Sequence, residues 1–255
     1  MVATIISAVV FLLIGALFPH KTKPIQDYEM LVSINKRKYM LYEALSVIPL
    51  FFFVGIICYG IYLLGNDIQE IYLRGRETDF AIYPPDTFWL APGLCFGFGL
   101  ILRPMEFLYY LLLREEYDVY IEYTNRKHGI DGYKVMRPLC AICVVAGIVV
   151  SFLALGWYKE IKGDKIVIDD FTSLTPQEYT IQDIVSITHY EQQLNAEGVA
   201  RTDPYYKIAF TDGRVWDTSY NFHEVSDEKA DAIVKYFTSR SKLQVRCEIM
   251  ETVQE

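Results

Sequence analysis

The chain has 255 residues, 52% of them hydrophobic and 15% aromatic, and its 32 acidic and 24 basic side chains leave a formal charge of -8. That is more apolar surface than a soluble domain of this size buries, so much of it must face lipid. The negative balance argues against nucleic acid as a partner, because a phosphate backbone is gripped by a dominant basic patch and none is present.

Four stretches are apolar enough, over roughly 17–25 residues, to cross a bilayer as helices. The first runs from about Ala3 to Phe18. No basic residue precedes its apolar run, no small-x-small cleavage site follows it, and His20, Lys21 and Lys23 lie on its far side, which predicts an uncleaved anchor. The second covers Ala44 to Leu64, the third lies within Phe88 to Leu113, and the fourth covers Pro138 to Trp157. Pro49 and Pro92 read as kinks or span starts.

The third span carries the unusual residues. Gly93 and Gly97 stand at GxxxG spacing, followed by Gly99, a pattern that lets another helix approach closely and suits packing or self-association. Within GLILRPMEFLYYLLL, Gly99 to Leu113, Arg103 and Glu106 are three apart and share a helix face, where they can pair. At ~1.5 Å per residue, Phe88 to Leu113 would extend about 39 Å, more than the ~30 Å hydrocarbon core. Arg103 is therefore expected near the far face, snorkelling to the headgroups, with a kink at Pro104. The other readings are a polar contact with a ligand or partner, or a transport role, since an intramembrane charge is a functional candidate by default.

Orientation follows from lysine and arginine counts. Loop one (20–43) carries Lys21, Lys23, Lys36, Arg37 and Lys38, and loop three (114–137) carries Arg114, Arg126, Lys127, Lys134 and Arg137, whereas loop two has only Arg74 and Arg76. Loops one and three are expected in the cytoplasm and the C-terminal domain on the opposite side. In loop three, Tyr117, Tyr120 and Tyr123 recur every three residues beside Arg126 and Lys127, as an interfacial tyrosine belt would.

Beyond Trp157 the texture becomes that of a soluble domain. KIVI (Lys165 to Ile168), YTI (Tyr179 to Ile181), IVSITHY (Ile184 to Tyr190), YYKIAFT (Tyr205 to Thr211) and RVWDTS (Arg214 to Ser219) are β-branched and aromatic and predict strands. Asp212-Gly213 predicts a hairpin between the last two. Ser226 caps a predicted helix in which Ala230, Ile233, Val234 and Phe237 form one apolar face. The tail LQVRCEIM alternates and suits a last short strand.

Several short strands, a hairpin and a closing helix, with the EYTIQDIVSI pattern of Glu178 to Ile187, make Trp157 to about Ser241 resemble a bacterial pleckstrin-homology-like domain. The resemblance implies a binding or assembly module. It also implies an anion or headgroup contact in the loop between the first two strands, here EIKGDKIV with Lys162 and Lys165, although Glu160 and Asp164 beside them favour a plain solvated hairpin.

Catalytic signatures are not found. His20, His128, His189 and His223 have no ligand spacing, and there is no HExxH, GxSxG, Walker or GxGxxG sequence. Cys140 and Cys143 form a CxxC inside RPLCAICVVAGIVV, where membrane packing is the ordinary reading. The expectation is a four-span helical domain over residues 1–157 followed by a small α+β, pleckstrin-homology-like domain over 158–255, in a bacterial cytoplasmic membrane. Its expected partners are the lipid bilayer and either a protein or a second copy of itself, with no cofactor, metal or catalytic residue. The alternative is a small transporter, channel or immunity-type protein that uses Arg103 and Glu106.

Overall fold

The computed structural model describes residues 17–74, 77–171, 173, 175–194, 200–218, 225–241 and 243–250. The chain divides into two compact units, one formed by 1–66 with 89–151 and the other by 67–88 with 152–255.

In the first unit, α1 (Tyr28–Leu45) leads through Ser46 into α2 (Val47–Arg74), and α3 (Leu90–Leu100), α4 (Leu102–Leu113), α5 (Tyr117–His128) and α6 (Gly132–Gly156) follow. Two helices are long and apolar enough to cross a membrane: the continuous run Tyr28–Tyr72 and α6. Asp86–Leu100 and Leu102–His128 qualify together, bent by 45°, which makes three if that pair is one span. Four crossings are thus not found among the described residues, and the first predicted span, Ala3 to Phe18, lies almost wholly outside them.

The bend has a local cause. Pro104 lacks an N–H and its ring crowds the carbonyl four residues back, at Leu100, where α3 stops. Phe51, Phe52 and Ile56 on α2 and Ile142, Val145 and Phe152 on α6 are exposed, an apolar surface that water would not tolerate on this scale.

The predicted loops one and three are largely helical, as α1 and α5. Tyr120 and Tyr123 do not form an interfacial belt. They are buried against Tyr39 of α1, with ring centroids 5.5 and 5.6 Å away, because tyrosines three apart share the helix face that α5 turns toward α1. Leu113 and Val119 complete that core.

The second unit is built on two sheets. The first has the order β1-β2-β3-β4, from β1 (Phe80–Ile82), β2 (Tyr158–Lys162), β3 (Lys165–Asp169) and β4 (Gln177–Thr180). The second has the order β7-β6-β5-β8, from β5 (Ile184–Leu194), β6 (Ala200–Phe210), β7 (Val215–Asp217) and β8 (Val245–Met250). All pairs are antiparallel except β5 with β8, where Ile187 faces Val245 and His189 faces Cys247. The predicted Asp212-Gly213 turn is present, with Gly213 at φ +87° and the Asp212 carboxylate accepting the Arg214 amide at 2.9 Å.

Helix α7 (Asp227–Ser241) lays Ala230, Ile233, Val234 and Phe237 on the core, the face its spacing predicts. Ile161, Ile166, Ile168, Ile187, Ile208 and Trp216 from both sheets join them there. The unforeseen member is β1, which comes from the loop between the second and third predicted spans. It pairs with β2 in the register Phe80 to Ile161 and Ile82 to Lys159, and it buries Ile82 in the same core.

Candidate functional site

The most enclosed charge in the first unit is Glu122 on α5, which is 2% exposed. One of its oxygens, Oε1, accepts three hydrogen bonds: from His20 Nε2 at 3.0 Å, the Lys23 amide at 3.0 Å and Arg126 Nε at 2.7 Å. An ionised carboxylate only accepts, so His20 must carry its proton on Nε2. Arg126, one helical turn beyond Glu122, also donates to the Lys23 carbonyl at 3.1 Å and stacks on the Tyr28 ring at 3.8 Å. Backbone bonds from His20 to Gly129 and from Asp131 to Phe18 continue the attachment.

Neighbouring pairs repeat the theme. Glu116 accepts Lys38 at 2.9 Å and the Tyr39 hydroxyl at 3.2 Å, while Glu43 binds Lys127 at 2.6 Å and His128 at 2.7 Å. Loops one and three are therefore a single headpiece. An open groove of about 630 Å³ runs beside it, lined by Lys23, Asp27, Tyr28, Glu29 and Arg126 among others. The guanidinium in that groove is already engaged, and the lining carries both signs, so nothing there selects an anion.

Arg103 and Glu106 do pair, with Nη1 to Oε2 at 3.2 Å, on a surface where Arg103 is 89% and Glu106 37% exposed. No other ionisable group joins them at bonding distance among the described residues. Gly93 and Gly97 are buried: an added Cβ would stand 2.8 Å from the Cys58 carbonyl oxygen at Gly93 and 3.0 Å from Val54 at Gly97. They seat α3 on α2 of the same chain. Gly99 meets Val144 of α6 in the same way, at 2.6 Å. Cys140 donates its thiol to the Phe98 carbonyl at 3.3 Å, a packing contact between α6 and α3.

In the second unit, Lys162 and Lys165 flank the β2–β3 turn, where Gly163 takes φ +57°. Lys165 pairs with Glu178 at 2.8 Å, and Arg240 lies 3.7 Å from Asp164. The turn also carries acid: Asp79, just before β1, accepts the Gly163 amide and the Tyr236 hydroxyl, both at 2.7 Å. Those two donors hold the Asp79 carboxyl below its ordinary range.

Lys159 points inward from β2 with 4% exposure, 3.9 Å from Asp170 and 5.6 Å from the Trp216 ring, and its burial pushes the amine pKa down. Asp169 is raised by burial and by the neighbouring Asp170. Both are enclosed by the core, so a substrate could reach them only if the unit opened.

Protein-family models, curated proteins and solved structures offer no match to this chain. Its chemistry is read from its own geometry. Among the described residues no group of three or more His, Cys, Asp or Glu is placed to hold a metal. Glu122 and Asp79 are polar residues that the sequence did not single out, and His20 and Arg126 were noted there without this role; each fastens one segment to another. The signal was faint: Glu122 and Arg126 stand at helical i, i+4 spacing in what reads as an interfacial tyrosine belt.

Proposed function

We propose that this chain is a non-enzymatic membrane protein in which a helical anchor presents a pleckstrin-homology-like module for protein binding or assembly. The observation that carries the reading is how the module is held. It is fed by α2 through β1 and by α6 directly into β2, with only Trp157 between the helix and the strand. Two largely antiparallel sheets with one helix, Asp227–Ser241, packed on their shared apolar core also suit the resemblance drawn from the sequence.

Parity supports a definite topology. Loops one and three bind each other, and loop two shares a sheet with the C-terminal segment. If α2 and α6 each cross the bilayer, loop three can rejoin loop one only when the bent pair α3–α4 crosses too. The described residues then cross three times, and the Ala3 to Phe18 stretch would bring the total to four. The lysine and arginine excess of loops one and three assigns them to the cytoplasm and the module to the other face.

Fractionation and reconstitution test this reading. The full chain should stay in the membrane pellet after alkaline carbonate washing and leave it only with detergent. Liposomes containing the protein should show no ion flux above that of empty liposomes. Solubility without detergent would refute the anchor, and flux abolished by Arg103→Ala would replace the module with a pore.

A further inference from the structure

Strand β8 ends the second sheet, and among the described residues no strand pairs with its outer edge. Of the four sheet edges, β1 and β7 have three residues each and β4 has four, whereas β8 has six. Arg246, Cys247, Glu248 and Ile249 are all exposed, Ile249 to 69%. An open edge of that length is a template for another strand, and its sequence says which strand fits.

We propose that β8 pairs antiparallel with β8 of a second copy of this chain, about a two-fold axis through Cys247, which joins two four-stranded sheets into one of eight strands. In this register Arg246 stands opposite the partner's Glu248, and Val245 opposite the partner's Ile249, each pair occurring twice. Val245 already packs on the core, so the partner's Ile249 extends that apolar row. The neighbouring registers lose this charge complementarity. Centring on Arg246 or on Glu248 puts like charges face to face, a centre between residues puts Arg246 opposite Ile249 or Cys247, and parallel in-register pairing stacks Arg246 on itself.

The GxxxG residues cannot supply the contact, because Gly93 and Gly97 are filled by α2 of their own chain. A six-residue ribbon buries less than the roughly 1,200 Å² of a stable interface, so the dimer depends on confinement in the membrane. Cys247 reports the register, because directly opposed antiparallel residues have Cα atoms about 4.5–5.5 Å apart, within disulfide reach. The inference needs the second sheet and the membrane anchor, and it stands whether or not the module binds another protein.

The experiment is mild copper–phenanthroline oxidation of membrane vesicles carrying the full chain, read on non-reducing gels. A covalent dimer should form and be absent from Cys247→Ser. Arg246→Glu and Glu248→Arg should each slow the reaction at least tenfold, and the double exchange should restore it. In a Cys247→Ser background, Arg246→Cys should cross-link at least fivefold more slowly than wild type, because its own counterpart lies two positions off register. Dimer formation unaffected by either single exchange, or no rescue in the double variant, would overturn the proposal. So would cross-linking of Cys247 to a different protein in place of its own copy.

Discussion

Glu122 concentrates the strongest polar attachment in the first unit on one carboxylate oxygen. Its three donors come from a neighbouring helical turn and from a segment about a hundred positions away, the Lys23 amide being 99 residues distant and His20 102. Removing the carboxylate would strand a buried imidazole N–H and a guanidinium together, and the loss of charge-assisted bonds at an enclosed site is worth about 3 kcal/mol. Glu122→Ala should therefore release the segment around Lys21 and Lys23 from α5. The check is trypsin cleavage there in detergent-solubilised protein, which should become much faster in the variant while cleavage in the second unit is unchanged. Asp79 offers a companion test with a pH sign. Its folded carboxyl is depressed, so the stabilisation it gives is present above the unfolded pKa near 3.8 and is lost as pH falls through the folded value. Asp79→Asn should be less stable than wild type at pH 7, with the two acid-unfolding curves, followed by tryptophan fluorescence, converging below about pH 4.

At the scale of elements, the second unit was legible wherever local pattern and packing agree. β-Branched and aromatic runs gave β3, β5 and β6, alternation gave β8, the Asp-Gly pair gave the β6–β7 turn, and 3.6-residue spacing gave the buried face of α7. Strand β1 was not legible, because three residues ahead of Tyr83 and two prolines carry no period, and the partner strand lies 77–81 positions later. The headpiece was hidden for a similar reason: the tyrosines and basic residues of REEYDVYIEYTNRKH read as an interfacial belt until α1 covers them. The dependence on β1 can be measured. A fragment 152–255 lacks Phe80 and Ile82 and exposes the edge of β2, a loss of about 2–4 kcal/mol by comparison with large apolar truncations. Joining residues 77–88 to that fragment through a flexible linker should raise its Tm by at least about 10 °C. Equal Tm values would mean that β1 is decoration on a unit that is complete without it.

For the whole molecule, the decisive quantity is the side of the membrane on which β8 lies. The pairing of β1 with β2 requires loop two and the C-terminal unit to share a face, and the topology we propose from the lysine and arginine count makes that face the outer one. Cys247 is exposed, whereas Cys58 and Cys140 are buried and Cys95 and Cys143 half-buried within helices. An impermeant maleimide, added to intact cells after an impermeant phosphine has reduced any disulfide, should thus modify Cys247, and Cys247→Ser should abolish the signal. Residues of loop one supply the internal control. A cysteine introduced at Lys36, on the headpiece, should react only after the cells are lysed. Labelling of both positions from outside would contradict the alternation of crossings, while labelling of Lys36→Cys alone would keep the parity and invert the molecule. In the inverted case the module would work in the reducing cytoplasm, and a β8-paired dimer would persist there by strand pairing and charge alone, without a Cys247 disulfide.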